Sequence, residues 1–181
     1  MGWIVDKTHS HIEFAVRHMM IAKVRGSFKD YDVRLDLNEQ NPEQSYAEAH
    51  IRVASIDTGV EDRDNHLRSP DFFDAEKYPE IVFKSKRIER VDDTHYRVIG
   101  DLTIKDTTRE VTLDVEVAGP YKDPWGNERL GFVATTKINR KDFGLNWNVA
   151  LETGGWLVGE TVEIEIALEA IKQPEEAPAS A

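Results

Sequence analysis

The sequence predicts an all-β fold, an antiparallel barrel of about eight strands with one short helix near residues 59–68. Three observations lead there. Apolar and polar residues alternate with period 2 along most of the chain, most cleanly in Val111, Leu113, Val115 and Val117 against Thr112, Asp114 and Glu116, as a strand with one buried face requires. Turn residues recur between the alternating runs, so neighbouring strands pair as hairpins. Only Thr58 to Asp74 leaves this pattern for helical spacing. Long strands joined by hairpins favour a closed barrel over a sandwich.

The first clear strand carries Ile12, Phe14, Val16 and His18 on one face. Between Val24, Gly26, Phe28 and Tyr31, Val33, Leu35, Leu37 the parity slips by one, and a bulge near Lys29 and Asp30 would restore it. A loop runs from Asn38 to Ser45. Thr58 and Glu61 have capping-box spacing, in which hydroxyl and carboxylate each satisfy a free backbone donor of the first turn. Pro70 ends the helix, and Phe72 and Phe73 follow as an apolar plug for one end of the barrel. Val98, Gly100, Leu102 and Ile104 continue the alternation, as do Phe132, Ala134, Thr136 and Ile138, and finally Val162, Ile164, Ile166 and Leu168. Hairpin turns are expected at Asp92 and Asp93, at Lys105 to Thr107 and at Pro124 to Asn127, with a longer loop from Arg140 to Val149. Residues 1–172 form one domain on this reading. The tail 173–181 has no aromatic or β-branched residue and is expected to be disordered.

The chain of 181 residues is long enough to bury a core without staples, and it contains no cysteine, which excludes disulfides and thiolate chemistry. The net charge of −11, from 23 Lys and Arg against 34 Asp and Glu, argues against nucleic acid as a partner. No stretch approaches the ~18 consecutive apolar residues of a membrane span. The N-terminal residues have neither a basic nor an apolar leader region, so the expected location is the cytoplasm, or the periplasm if a leader was removed.

Motifs for catalysis are missing: there is no G-x-S-x-G, phosphate-cradling glycine loop or H-E-x-x-H. His9 and His11 lie on one face, as a two-ligand metal arm would need, but a third ligand is not evident and no metal is assigned. Asp62, Asp64 and His66 begin like a calcium loop, yet Leu67 and Phe73 stand where Gly and Glu are required. Carboxylate pairs among Asp57, Asp62, Asp64, Asp71 and Asp74 are what chance gives in an acidic loop. His18 shares parity with the apolar set and is either a satisfied core histidine or a contact for the polar end of a ligand. Phe14, Phe28, Phe83 and Phe132 have inward parity on four strands, and Phe143 and Trp147 sit in a loop able to close an end. An eight-stranded barrel is wide enough either to pack solid or to hold one small ligand, and pattern alone leaves both open.

Asp6 to His18 reads D-x-x-H-S-x-I-x-F-x-V-x-H, and Val24 to Phe28 reads V-x-G-x-F. With Ser55 to Gly59, R-D-x-H-L-R-S-x-D-F-F-D at Arg63 to Asp74, and N-R-x-D-F-G at Asn139 to Gly144, the chain resembles the YceI-like polyisoprenoid-binding family over residues 3–171. The resemblance implies a lipocalin-like barrel, a tendency to dimerise, and a polyisoprenoid, isoprenoid quinone or fatty amide as bound lipid rather than a cofactor. Phe14, Val16, Val24, Phe28, Phe83, Leu102, Phe132, Phe143 and Trp147 are then expected along the tail. His18, His66, Arg68 and Asp71 are candidates for the head group. Asn65 to Phe73, which includes Leu67, Phe72 and Phe73, and His18 to Ala22 would form an openable mouth with transient membrane contact. An enzyme acting on the head group through His18 and a carboxylate, and a solid barrel working through protein contacts, are the alternatives.

Overall fold

The computed structural model describes residues 2–152 and 155–173; of the tail expected to be disordered, 174–181 lie outside them. Eleven strands are formed: β1 (Trp3–Val5), β2 (His11–His18), β3 (Ala22–Phe28), β4 (Tyr31–Asp36), β5 (Tyr46–Arg52), β6 (Ile56–Asp57), β7 (Glu80–Arg90), β8 (His95–Ile104), β9 (Thr107–Lys122), β10 (Glu128–Asn139) and β11 (Val158–Lys172). The helix α1 spans Glu61–Arg68.

The long strands β7 to β11 pair in sequence order, with hairpins at the three expected turns joining β7 to β10. Closure comes from the N-terminal third. β11 takes β2 along its first part and β1 along its last, β3 pairs with β2, and β4 meets β1 at Trp3 and Leu35. In three positions two short strands lie in line, β1 with β2, β3 with β4 and β5 with β6, so the ring is an eight-stranded antiparallel barrel. Closing the ring pairs most strand edges, though β3 meets β6 only at Ser27 and Phe28.

The parity slip at Lys29 and Asp30 is not a bulge. The chain turns a corner there, leaving the neighbours β2 and β6 for β1 and β5, with Lys29 N–H donating to Ser55 O and Arg52 N–H to Asp30 O at 3.2 and 3.0 Å. The capping box is also corrected. Val60 is the N-cap residue and offers no side chain, while the Thr58 backbone N–H and hydroxyl both donate to Asp64, at 2.9 and 2.5 Å. The Arg63 guanidinium donates to the Thr58 hydroxyl and carbonyl, so one threonine locks β6 to α1.

One end of the barrel is packed shut. Trp3, Leu35 and Ala170 are buried there, with Val33, Leu37, Ala47, Leu130 and Phe132 against them. Arg129 ties this end together, donating to Asp6 at 2.9 Å, Asp123 at 2.8 Å and Glu169 at 2.9 Å. The guanidinium, helped by backbone donors of the β9–β10 turn, holds the Asp123 carboxyl down to about 2. Asp6 is held low by the Thr8 hydroxyl first, then by His9 and Arg129. Carboxyls depressed in the folded state stabilise it above their unfolded pKa, and that stabilisation is lost as pH falls through the folded value. The urea midpoint is therefore expected to fall between pH ~4 and ~2, and Arg129→Met should flatten that slope. An unchanged slope in the variant would mean other carboxylates carry the acid response.

Candidate functional site

The other half of the barrel is hollow. A cavity of about 460 Å³ lies between the strands and beneath α1. That is roughly three times a ~150 Å³ cavity able to take up benzene. Its walls are apolar: Ile12, Phe14, Val16 and Val24 from the β2–β3 hairpin, Ile51, Ile81, Phe83 and Leu102 across from them, and Ile138, Ile164 and Ile166 from the last strands. Polar groups border it mainly at the mouth, as Arg17, His18, Asp62, Arg63 and His66. Solid packing and a hollow interior, which the pattern left as alternatives, divide the barrel between them.

Most side chains expected along the tail do border this cavity: Phe14, Val16, Val24, Phe28, Phe83, Leu102 and Trp147. From the α1 segment, His66, Leu67, Phe72 and Phe73 reach it as well. Phe28 meets Phe14 and Phe73 with ring centroids 5.5 and 6.1 Å apart. The His66 ring stands edge-on to Trp147 at 4.6 Å and to Phe72 at 5.1 Å, while its Nε2 lies 2.9 Å from the Asp71 carboxylate. His66 thus has an aromatic side toward the lumen and a polar side toward solvent.

Four expected residues do not border the cavity, one of them Asp71, which meets only the outer nitrogen of His66. Phe132 has inward parity but sits in the packed half, against Trp3 and Leu35. Phe143 is buried behind the wall, drawn in by the 3₁₀ turn Arg140–Phe143 that Gly144 ends at φ 78°. Arg68 points away from the cavity, donating to Ala54 O, Ile56 O and Asn65, and so fastens α1 to the β5–β6 connection instead of pairing with Asp64 or Asp71.

His18 is exposed at the rim, which removes the buried-histidine reading. Histidine–carboxylate pairs among the described residues involve His9, His11, His50, His66 and His95, and not His18. His9 and His11 part company: His9 joins Asp6, already held by Arg129, whereas His11 faces Glu13 and Glu165 on the outer wall. Of these residues only Glu13 borders the cavity.

Two features go beyond the expected site. Aliphatic wall residues such as Ile51, Ile81 and Ile104 line the cavity with the same alternation as the aromatics. Arg140 is the second. Its side chain is 3 % exposed, borders the cavity, and donates to four carbonyls: Leu145 at 2.5 Å, Gly159 at 2.7 Å, Trp147 at 3.0 Å and Val158 at 3.3 Å. Burial lowers its pKa, opposed by the Glu160 charge. It is the peg that fixes the loop carrying Trp147 to the start of β11.

The mouth also carries an unusual turn. His18–Ile21 is a β-turn closed by Ile21 N–H donating to His18 O at 3.2 Å, and Met19 and Met20 occupy its centre at φ 52° and 63°. Asn and Gly are the residues suited to two successive positive φ angles. A methionine there costs about 1 kcal/mol.

A closed antiparallel barrel, packed at one end and hollow and apolar at the other, is a lipocalin-like architecture. The model of the YceI-like domain matches residues 3–170, and the chain belongs to that family. A UPF0312 protein of Staphylococcus epidermidis is 44 % identical over 165 residues, covering 91 % of this chain and 94 % of that protein. Among solved structures, the YCEI protein of Campylobacter jejuni is 32 % identical, with TM-score 0.75 over 87 % of this chain and 90 % of that one. BcnA of Burkholderia cenocepacia is 27 % identical, with TM-score 0.78 over 91 % and 98 %. A polyisoprenoid binding domain from Saccharophagus degradans, implicated in plant cell wall breakdown, shares the fold at 14 % identity, with TM-score 0.68 over 96 % and 99 %.

Proposed function

We propose that the protein is a binding protein that takes one long-chain polyisoprenoid, isoprenoid quinone or similar amphiphilic lipid into the hollow half of its barrel, for transport, storage or sequestration. The observation that carries this reading is the cavity of about 460 Å³, apolar along its walls and polar at its mouth. The same polarity describes an amphiphile lying with its tail inside and its head at Arg17, His18, Arg63 and His66. The description of the Saccharophagus domain as polyisoprenoid-binding supports the same class of ligand.

Moving ~20 tail carbons out of water at ~0.8 kcal/mol each is worth ~16 kcal/mol before ordering costs. Such a lipid does not leave into water. Its exchange with a bilayer is nearly balanced, because both sides are apolar, so delivery depends on how readily the mouth opens. Solvent extraction of purified protein followed by mass spectrometry is expected to yield about one lipid per chain. Ala49→Trp, which places an indole into the cavity from β5, should lower that yield several-fold in a barrel that remains folded. Protein that extracts clean, in both forms, would refute the reading.

A further inference from the structure

The strained turn at the mouth is also the most exposed apolar feature of that end. Ile21 is 82 % and Met20 62 % exposed, and Met19 is nearly half exposed. Trp156 and Val149 stand exposed in the neighbouring loop, which Met19 N–H joins by donating to Leu157 O at 2.8 Å. His18 and Leu157, at the base of this tip, border the cavity, so the exposed apolar surface is continuous with the apolar lumen.

The outer face of the same hairpin is cationic. Arg17 and Lys23 stand directly opposite each other in the β2–β3 register, Arg25 is exposed one pair further on, and Lys23 pairs with Glu163 at 2.9 Å. Like charges facing each other across a ladder are unfavourable. With Lys23 neutralised by Glu163, Arg17 and Arg25 carry the local positive charge, on a chain whose net charge is −11. Across the mouth, α1 presents Glu61 and Asp62. The attraction to an anionic surface is therefore confined to the hairpin side, and the acidic remainder orients the molecule.

We propose that the His18–Ile21 tip docks on an anionic phospholipid bilayer, with Met19, Met20 and Ile21 entering the acyl boundary and Arg17 and Arg25 meeting the headgroups. The inference rests on lipid as the cargo. It explains why methionines sit where the backbone favours Asn and Gly: the tip is kept apolar against the preference of its own turn. Methionine is suited to this position because its flexible thioether adapts to irregular surfaces. Docking there would bring the mouth to the phase from which the cargo comes.

The test is flotation with vesicles of phosphatidylcholine alone and with one-quarter phosphatidylglycerol. The wild-type chain should float with the anionic vesicles. The triple substitution Met19→Asn, Met20→Gly, Ile21→Thr supplies the residues the turn prefers, so it should raise the urea midpoint while lowering the bound fraction at least fivefold. Trp125→Asp, at the opposite pole and 80 % exposed in the wild type, should leave flotation unchanged. Equal flotation of the triple variant overturns the proposal. So does a concentration-dependent dimer in sedimentation that the triple variant abolishes, since a second copy would then cover the tip. Wild-type protein that yields lipid on extraction yet does not float refutes the docking and leaves the cavity reading intact. Protein that floats but yields no lipid upholds the docking surface and refutes the cargo.

Discussion

Arg140→Met is expected to lower the folding free energy by about 3 kcal/mol or more, read as a fall in the urea midpoint at unchanged slope. A hydrogen bond from a charged donor contributes about 1.5–3 kcal/mol, and Arg140 makes four, all to backbone carbonyls. Methionine fills much of the space but leaves these carbonyls without their donor, the Leu145 carbonyl in a buried position. Part of the loss is offset, because the guanidinium itself was costly to bury, as its lowered pKa records. Arg140→Lys should fail nearly as badly, since one ammonium cannot reach the points that a planar fork spans from Gly159 to Trp147. Three of the four carbonyls belong to Leu145, Trp147 and Val158, which border the cavity. The folded fraction of either variant should therefore exchange lipid faster than wild type. Wild-type stability in Arg140→Met would show that the loop is held by packing alone.

How much of this was legible in the sequence depends on which property each residue reports. Period-2 parity reports inside against outside, and it placed Phe14, Val16, Phe28 and Phe83 on the inner wall. It carries no information on height along the barrel axis. Phe132 and Phe83 therefore looked equivalent, though one fills the packed half and the other faces the hollow one. A slip in parity is ambiguous in the same way. At Lys29 and Asp30 a bulge and a change of strand partners shift the pattern equally, and only the pairing of β3 with β6 tells them apart. On an eight-residue helix, Leu67 and Arg68 are adjacent, and the side that faces inward is set by where Arg68 finds carbonyls on the β5–β6 connection. Arg140 belongs to the N-R-x-D-F-G motif, but nothing in the motif says that its side chain is buried. An arginine after a strand is ordinarily a solvated one, and its burial follows from the adjoining loop at 145–147 and the more distant start of β11 at 158–159 folding over it.

Two glycines that look alike in the pattern should respond in opposite ways to the same methyl group, and the contrast separates the lumen from the wall. A Cβ on Gly26 would lie 2.4 Å from the tip of the Phe14 ring, its cross-strand partner, and 2.9 Å from the Thr58 methyl. The ring can move, because the cavity is on its free side, while Thr58, held by Asp64 and Arg63, must give by a few tenths of an ångström. Gly26→Ala should therefore fold with a modest penalty of about 1 kcal/mol, drive Phe14 into the lumen and reduce extractable lipid at least threefold. A Cβ on Gly100 would lie 2.5 Å from the Lys84 carbonyl and 2.6 Å from the Phe83 ring. The ring can yield there too, but the carbonyl belongs to β7, directly beside β8 in the ladder, and cannot shift without opening that pairing. Gly100→Ala is expected to cost about 3 kcal/mol or more, with the barrel rather than the site as the casualty. Urea unfolding and lipid extraction on both variants read the two effects independently. If Gly26→Ala kept its full lipid load at wild-type stability, the Phe14 ring would not be the inner surface of the site, and the hollow would have to be drawn with another boundary.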